Sequence, residues 1–572
     1  VAGTAIPVFS LRSEGSQGVG DFGDLRTMVD WCLQTKQRVL QILPINDTTA
    51  THSPLDSYPY NSISIYAFHP MYIDLRQLGG LDNQEAEAAY WHRFNALNAL
   101  AEVDYVEVDT QKRRYLREFF DTKGEVFTAT KDYAEFMREN THWLVPYAAF
   151  SYLRDQNNTS DFRDWQNYSV YNKEEVERLA KNNPDVAFYC FLQYLLHIQL
   201  REVSRYAQAQ GVILKGDIPI GISRNSVEAW VEPHYFNMNG QAGAPPDAFS
   251  ATGQNWGFPT YNWDVMAEDG YKWWRRRFTK MAEYFSAYRI DHILGFFRIW
   301  EIPLNAVNAL LGRFNPALPY SVDEIRGYGF NFEHWHVGNI AETDNMLFVE
   351  DKIKQGHYHP RISAYNTDCY RWLSDDQKEA YNRLYNDFFY RRHNDFWKWE
   401  ALKKLPPLTE ATGMLVCGED LGMIPDCVPS VMSGEQILSL EMRIDSGAAG
   451  FTAIGADFDS TSGLSLDNFS VRSNNGHAIF GTSAKINRQA DDMLHYDLVV
   501  LQYGLNIMQA DRHNYSLYGE QVEKMVRYVE SCFPGAAVLV MGVSDRSQRN
   551  EQGIVPMTAA VDLARSQREA AE

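Results

Sequence analysis

Four short apolar runs, each preceded by a stretch with helical character, constrain the fold of this sequence more than any other feature. They lie at Arg38–Ile45, Gly211–Gly221, Ala287–Phe297 and Met414–Pro425. Buried strands that each follow a helix are typical of a parallel α/β sheet or barrel. We therefore predict an α/β fold with a (β/α)8-type barrel. Residues 80–200 and 303–410 carry few strand signals, and we expect them to form helical insertions.

Charged or polar residues stand where each of these apolar runs ends. They are Asn46 in the first run, Asp217 in the second, Arg289 and Asp291 in the third, and Glu419 in the fourth. In a βα-barrel this end of every strand faces the active site. The pattern therefore predicts a site built from side chains of several different strands.

Asp291 and Glu419 are the candidate catalytic pair. Arg289 lies two residues before Asp291 on the same strand face, where its charge would keep the carboxylate ionised, as a nucleophile requires. Glu419 ends an apolar strand, where burial would raise its pKa, as an acid catalyst requires. Two such carboxylates are what retaining glycosidic-bond chemistry uses, with a separation of roughly 5–5.5 Å. A simple ion pair between the strand-end acid and the arginine is the alternative that spacing alone leaves open.

Two aromatic loops point to a sugar ligand. Gly253–Trp263 contains two tryptophans and a tyrosine between glycine and proline residues, and Ser57–Ser62 follows the first strand. Sugar rings bind by stacking on flat aromatic faces while polar side chains contact the hydroxyls. A lid packed over a core is the alternative reading of the longer loop.

Composition excludes several other classes. The 572 residues contain 74 acidic and 53 basic side chains, for a net charge of −21, which disfavours a nucleic-acid or anionic-membrane partner. No window approaches 18 consecutive apolar residues, so no membrane span is expected. Six cysteines without a CxxC motif predict a reducing, cytoplasmic setting without a zinc site. We expect no metal and no cofactor, and His334 and His336 to be solvated or core residues. No signal-peptide pattern follows Val1.

Six segments in the same order resemble the 4-α-glucanotransferase family, also called amylomaltase or disproportionating enzyme. They read LPINDTTA, SYPYNS, KGDIPIG, AGAPPDAFSATGQNWGFPTYNW, YRIDHILGFFRIWEIP and GEDLGMIP. The resemblance covers about residues 5–443 and is nearest to the larger branch that includes the plant cytosolic enzyme. It implies a transferase of α-1,4-glucan segments that uses a covalent glucosyl-enzyme and acts on maltooligosaccharides and α-glucans.

The same resemblance implies a role for each candidate residue. Asp291 would be the nucleophile, Glu419 the general acid/base and Arg289 the partner of the nucleophile. Asp217 and His292 would line the donor subsite. The acceptor glucan would contact Tyr60, Ser62, Asp247, Gln254 and Trp256.

The character of the sequence changes near Ile444. All 14 tryptophans lie at or before Trp399, and a Gly/Ser/Ala-rich segment follows Glu441. The family has a third catalytic carboxylate in a later His-Asp motif, and residues 444–572 contain no such pair. We predict an incomplete catalytic barrel over residues 1–443, a junction over 444–450 and a separate unit over 451–572. An open barrel would be poorly stable or inactive.

The tail resembles the middle of an SGNH/GDSL-type hydrolase. Its apolar segments FTAIGADF, YDLVVLQYG and AAVLVMGV predict a small three-stranded, flavodoxin-like α/β unit. By that resemblance Gly476 and Asn506 would stand at oxyanion-hole positions, although the serine and Asp-x-x-His motifs of that family are missing. A carboxyl-ester hydrolase and a catalytically inactive glucan-binding protein therefore remain as alternative functions.

Overall fold

A computed structural model describes residues 2–247, 250–337, 345–438, 475–481, 483–509, 512–543, 547–550 and 553–571. The density of contacts divides the chain into two compact units. Among the described residues, the first unit comprises those up to 438 and the second those from 475 onward. The predicted junction at 444–450 lies outside the described residues.

The described part of the chain contains eighteen strands. In chain order they are β1 (Gly3–Ile6), β2 (Val39–Ile42), β3 (Ile213–Ile218), β4 (Phe236–Asn237), β5 (Gly240–Ala244), β6 (Gln254–Asn255), β7 (Thr260–Tyr261), β8 (Ala287–Ile290), β9 (Ile299–Pro303), β10 (Arg313–Asn315), β11 (Tyr320–Ser321), β12 (Phe348–Glu350), β13 (His357–Pro360), β14 (Leu415–Gly418), β15 (Leu498–Leu501), β16 (Ala537–Val540), β17 (Ser547–Asn550) and β18 (Gly553–Pro556).

Seventeen α-helices accompany them within the described residues. They are α1 (Phe22–Gln34), α2 (Gln84–Asn98), α3 (Tyr105–Thr128), α4 (Lys131–Asn157), α5 (Lys173–Asn182), α6 (Pro184–Ala209), α7 (Val227–Val231), α8 (Trp263–Glu268), α9 (Lys272–Met281), α10 (Val322–Gly327), α11 (Asp368–Arg371), α12 (Asp375–Tyr390), α13 (Asn394–Thr409), α14 (Cys427–Gly434), α15 (Ala484–Leu494), α16 (Ser516–Cys532) and α17 (Ala559–Ala571). No described helix is both long and apolar enough to cross a membrane.

A parallel sheet in the order β1-β2-β3-β8-β14 forms the centre of the first unit. All four strands predicted from the apolar runs are in it, as β2, β3, β8 and β14, and β1 adds a fifth that the sequence analysis did not identify. Their apolar side chains are buried, with Leu40, Ile42 and Ile290 at most 1% exposed, because helices cover the sheet. Leu438 pairs in parallel with Cys417 of β14, so the sheet continues at the last residue described before residue 475.

The first predicted insertion is helical, as expected. Helices α2 to α6 fill residues 84–209, and their starts carry clear capping signals. The N-cap side chain of Asn183 accepts a hydrogen bond from Asp185, and Pro184 occupies the first helical position, where its missing N–H costs nothing. These local signals explain why α6 begins where it does.

The prediction of a purely helical second insertion is wrong. Residues 303–410 contain helices α10 to α13, but also the strands β10 to β13. Strands β11, β13 and β12 form a three-stranded sheet, and β10 extends the antiparallel sheet β10-β9-β5-β6. These strands are only two to four residues long, too short for an alternating pattern to show in the sequence.

The second unit has a core of its own. Strands β15 and β16 pair in parallel, and Val529, Met525 and Leu563 of helices α16 and α17 are buried beside them. Two of the three predicted tail strands are therefore present, while the segment FTAIGADF lies outside the described residues. The hairpin of β17 and β18 was not expected from the sequence. The flavodoxin-like description remains a prediction.

Candidate active site

Strand register brings the candidate catalytic residues together. Asp217 of β3 pairs with Arg289 of β8, which in turn pairs with Cys417 of β14. Asp291 and Glu419 each follow two residues later, so all four charged side chains leave the same face at the carboxyl end of the sheet. The predicted strand-end site is therefore assembled by backbone pairing alone.

Arg289 is the centre of this group. Its Nη1 donates to Asp217 Oδ1 at 2.7 Å and to Oδ2 at 2.8 Å. Its Nη2 lies 3.1 Å from Asp291 Oδ1 and 3.3 Å from Glu419 Oε2. Burial lowers the pKa of Arg289, but the three carboxylates more than offset this and hold the pKa above its ordinary value. The guanidinium therefore stays charged and can hold three acids in one geometry.

The same contacts limit how far apart the two candidate catalytic carboxylates can be. Asp291 Oδ1 and Glu419 Oε2 both contact Arg289 Nη2, so their separation cannot exceed the two distances added together. That limit lies at the lower edge of the roughly 6.5–9.5 Å typical of inverting glycosidases, and it applies to the two oxygens that contact the guanidinium. The shared contact agrees with the closer spacing of a retaining pair.

The electrostatics of Asp291 differ from the sequence expectation. Burial raises the pKa of this carboxyl to about 7; Arg289 opposes the rise, while Asp217 and Glu419 add to it. We expected Arg289 alone to hold Asp291 ionised, and this is wrong because one guanidinium serves three carboxylates. Burial also raises the pKa of Asp217, against the opposing effect of Arg289. The cluster is therefore prepared to take up a proton near neutral pH.

Glu419 is held by the turn that follows Asp291. The backbone N–H of His292 donates to Glu419 Oε2 at 2.7 Å, and the N–H of Ile293 donates to the Glu419 carbonyl at 3.0 Å. His292 has a positive φ of 44°, in the left-handed region that residues other than glycine rarely adopt. The side chain of Glu419 is 27% exposed and that of Asp291 is 21% exposed. The burial expected for Glu419 at this strand end is therefore only partial.

His292 itself is buried and neutral. Burial, with a smaller contribution from Arg298, lowers its pKa to about 3. Its ring packs edge-on against Trp256, with centroids 4.9 Å apart. This contact places the aromatic loop predicted from the sequence beside the turn that follows Asp291.

The loop after β2 reaches the same cluster. The Tyr60 hydroxyl donates to Asp217 Oδ2 at 2.8 Å, and burial together with Asp217 raises the pKa of Tyr60. Tyr58, which the sequence analysis did not select, lies 5.7 Å from the Tyr60 ring and is 55% exposed. The signal that could have identified Tyr58 in the sequence is its position two residues before Tyr60 in the segment SYPYNS. Asp291 contributes to raising the pKa of Tyr58, so this ring is also near the site.

Ser62 does not fit its predicted role. The residue is fully buried, and its carbonyl accepts a hydrogen bond from the N–H of Ser223 at 3.1 Å. Its hydroxyl has no partner among the described residues and does not reach the surface. Ser62 therefore supports the loop from within rather than presenting a group to an acceptor.

The remaining acceptor candidates lie on the loop between β5 and β7. The Trp256 indole donates to the side-chain oxygen of Gln254 at 3.1 Å. The backbone of Trp256 pairs with Ala242 at 3.0 Å, which fixes the ring over His292. Asp247 is exposed at the other end of the loop, where its Oδ1 accepts from the N–H of Ser250 at 2.8 Å. No described contact joins Asp247 to the carboxylate cluster.

The two tail candidates, Gly476 and Asn506, lie in the second unit. Gly476 has a φ of 97°, and a Cβ there would meet the sulfur of Met525 at 2.2 Å, so packing explains this glycine. His513 Nδ1 lies 2.8 Å from Asp562, an ion pair at the surface. Among the described residues, no serine or cysteine hydroxyl or thiol completes a triad with His513.

Within the described residues, no three His, Cys, Asp or Glu side chains are grouped so that they could hold a metal ion. His336 is buried and His334 is exposed. All six cysteines are free thiols.

The family model described as 4-alpha-glucanotransferase matches residues 6–446. The chain belongs to this family. It is 36% identical over 513 residues to the 4-alpha-glucanotransferase DPE2 of Oryza sativa subsp. japonica, covering 77% of this chain and 54% of that protein. The 4-alpha-glucanotransferase of Chlamydia muridarum is 35% identical over 302 residues, covering 52% of this chain and 56% of that one. The chain thus spans about half the length of these curated relatives.

Two solved amylomaltases share the fold of this 4-alpha-glucanotransferase family member. The enzyme from Streptococcus agalactiae aligns with a TM-score of 0.55 at 18% identity, over 100% of this chain and 99% of that one. The enzyme from Corynebacterium glutamicum aligns with a TM-score of 0.54 at 16% identity, over 99% and 73%. These likenesses establish an α/β barrel-type fold for the chain.

Proposed function

We propose that this chain transfers α-1,4-glucan segments between maltooligosaccharides or longer α-glucans by a retaining mechanism. The observation that carries the proposal is that Asp291 and Glu419 both contact one nitrogen of the Arg289 guanidinium at the carboxyl end of a parallel sheet. Membership of the 4-alpha-glucanotransferase family supports it, and the S. agalactiae relative was solved in complex with acarbose.

In the first step Asp291 attacks the anomeric carbon of the donor while Glu419 protonates the departing glycosidic oxygen. The C–O bond to the leaving sugar breaks as the bond to the Asp291 oxygen forms, giving a covalent glucosyl-enzyme. In the second step Glu419 takes the proton from an acceptor hydroxyl, whose oxygen displaces Asp291 at the same carbon. Two inversions give net retention.

The surrounding groups hold these two acids and the donor sugar. Arg289 fixes Asp291 and Glu419 relative to each other through the contacts of Nη2. Asp217, whose side chain is fully buried, lines the donor subsite in this proposal by fixing the Arg289 guanidinium and the Tyr60 hydroxyl. Neutral His292 can donate to or accept from a hydroxyl without adding charge.

Transfer rather than hydrolysis requires that an acceptor sugar displace water. Two aromatic rings beside the cluster can stack on a sugar ring. Trp256 is half-exposed and Tyr58 is exposed. Trp256 covers His292 from one side, so an acceptor stacked on it would exclude solvent from the reacting carbon. Gln254, hydrogen-bonded to Trp256, contacts the same sugar in this proposal, and exposed Asp247 binds a more distant unit.

The proposal also covers the extent of the catalytic barrel, the second unit, the cellular location and the absence of a cofactor from the mechanism. The catalytic barrel, incomplete at its C-terminal end, extends over residues 1–443, and the second unit is a small α/β fold without a catalytic role. Free thiols at all six cysteines support a reducing, cytoplasmic location. No cofactor takes part in the mechanism, because both steps are proton and sugar transfers between carboxylates and hydroxyls.

The test is incubation of the purified chain with maltotriose, followed by chromatography of the products. We expect a ladder of shorter and longer maltooligosaccharides that includes glucose, and no ladder with Asp291→Asn. Binding of maltotriose without a ladder would identify an inactive glucan-binding protein and overturn the proposal. Hydrolysis of an aryl ester that survives Asp291→Asn and disappears with Asn506→Ala would instead assign the tail a carboxyl-esterase activity.

A further inference from the structure

A buried arginine lies just beyond the turn that follows Asp291. Arg298 directly precedes β9 and is 2% exposed. It has no carboxylate within ion-pair distance among the described residues, and its Nε is buried without a partner. Its Nη2 donates to the carbonyl oxygen of Met423. The guanidinium lies over the rings of Phe314, at 4.8 Å, and Trp397, at 5.6 Å.

If Arg298 served only to fill space, its burial would be unfavourable in free energy. A guanidinium taken out of water without a counter-ion loses much of its hydration energy, and burial accordingly lowers the pKa of Arg298. A cation–π contact offsets only a small part of that loss. An apolar side chain would fill the same space at lower cost, so what arginine adds is the hydrogen bond to Met423.

Met423 belongs to the segment that follows Glu419. Residues 420–424, between β14 and α14, have little packing of their own: Leu421 is 59% exposed, Ile424 is 42% exposed and Gly422 has a φ of 104°. In the described part of the chain, the bond from Arg298 is a side-chain hydrogen bond that ties this segment to the rest of the first unit, and the Met423 side chain packs against the core as well. Glu419 itself is anchored by its backbone pairing, by the N–H of His292 and by Arg289.

The second insertion holds Arg298 in place. Trp397 of α13 donates from its indole to the carbonyl of Pro316 at 2.8 Å and packs edge-on against Phe314, 5.0 Å away. His393 stacks on the other side of Trp397, with centroids 4.5 Å apart. Phe314 and Trp397 therefore form a fixed aromatic support, and the guanidinium resting on it can point in one direction only.

We propose that Arg298 is a positioning residue for Glu419, and that the second insertion supports it through Phe314 and Trp397. The guanidinium holds the 420–424 segment so that the Glu419 carboxyl stays directed at the glycosidic oxygen. This inference rests on the proposed transferase function. It predicts that Arg298 matters for proton transfer by Glu419 and not for attack by Asp291.

The experiment compares two donors that differ in their need for an acid. Cleavage of maltotriose requires protonation of a poor leaving group, whereas α-maltosyl fluoride loses fluoride with little help from an acid. The burst of fluoride in a single turnover reports attack by Asp291 alone. For Arg298→Met, which keeps the length and apolar packing of the side chain, we expect kcat with maltotriose to fall about 100-fold at similar KM. The fluoride burst should fall less than about fivefold.

Arg298→Lys keeps a donor for Met423 and should recover part of the maltotriose rate. Arg392→Met is the matched control, because Arg392 also rests on a ring, 4.1 Å over Tyr320, and donates to a backbone carbonyl, that of Leu318, at 2.8 Å. It touches no residue near Glu419, and we expect the ratio of the two donor rates to stay at the wild-type value. Should Arg298→Met fail to fold, Trp397→Phe should show the same split more weakly.

Equal losses with both donors, or no loss with either, would overturn the inference. Failure of the wild-type chain to act on maltotriose would instead refute the proposed function, so the two outcomes are distinguishable.

Discussion

The charged side chains of the two units differ in their exposure to solvent. In the first, the Asp217 side chain is fully buried and Arg289 is shared by three carboxylates. In the second, His513 is 59% exposed and its partner Asp562 is 25% exposed. Among the described residues of the second unit, the buried polar side chain is the uncharged amide of Gln567, which bonds to the backbone of Tyr503 and Val543.

This contrast shows that two suitable residue types in contact do not by themselves make a functional site. An exposed His–Asp pair is screened by water and is worth about 0–1 kcal/mol, so it neither stores nor directs charge. A part-buried cluster in which three acids share one cation is expected to change protonation near neutral pH, because burial raises the pKa of Asp291 to about 7. We expect chemistry in the first unit only, and the following experiments test that difference.

The largest effect should come from Asp291→Asn. The amide keeps the shape of the side chain but cannot form the glucosyl-enzyme, so we expect transfer from maltotriose to fall at least about 10⁴-fold. Product chromatography measures the loss, and an unchanged circular dichroism spectrum verifies the fold. Asp375→Asn is the control, because that carboxylate is fully exposed. Wild-type transfer by Asp291→Asn would remove Asp291 from the mechanism.

Arg289→Lys should have the next largest effect. A lysine ammonium is a single point of charge and cannot contact Asp217, Asp291 and Glu419 together, as the two nitrogens of the guanidinium do. We expect kcat/KM for maltotriose to fall about 10³-fold, with the loss mainly in kcat. Arg391→Lys, at a side chain that is 70% exposed, should be unaffected. A loss below tenfold would show that Arg289 only stabilises the fold.

The pH profile should reveal the raised pKa of Asp291. The nucleophile must be ionised, and burial raises its pKa to about 7, so activity is present above that pH and is lost as the pH falls through it. We expect kcat/KM to drop about 50-fold between pH 7 and pH 5, since half of the carboxyl is ionised at its pKa and only about 1% is ionised two units below it. A profile that stays flat down to pH 5 would mean that Arg289 outweighs burial after all.

The smallest effect should follow changes in the second unit. Asn506→Ala and His513→Gln should each leave glucan transfer within about twofold of wild type, because neither residue belongs to a buried charged cluster. The maltotriose assay measures this directly. A loss of ester hydrolysis in either variant, in a chain carrying Asp291→Asn, would contradict our reading of the second unit.

Much of the fold could be predicted because its signals are local. An apolar run such as Gly211–Gly221 after a long helix indicates a buried strand whatever its neighbours are, and β3 is where that run predicts it. The residues at the strand ends could also be predicted, since parallel strands bring their carboxyl ends to one edge. The strands β10 to β13 could not, because two to four residues carry no periodicity.

The sequence by itself determined the family, the parallel sheet and the acids that meet at its edge, because each depends on residues close together in the chain. Only the tertiary structure decided how those residues behave. The pKa of Asp291 depends on Asp217 and Glu419, which come from strands far apart in sequence, and on burial by segments from elsewhere in the chain. Ser62 and Arg298 are likewise hydrophilic residues whose burial no local pattern reveals. Electrostatics and burial are sums over all neighbours in space, so they exist only once the chain has folded.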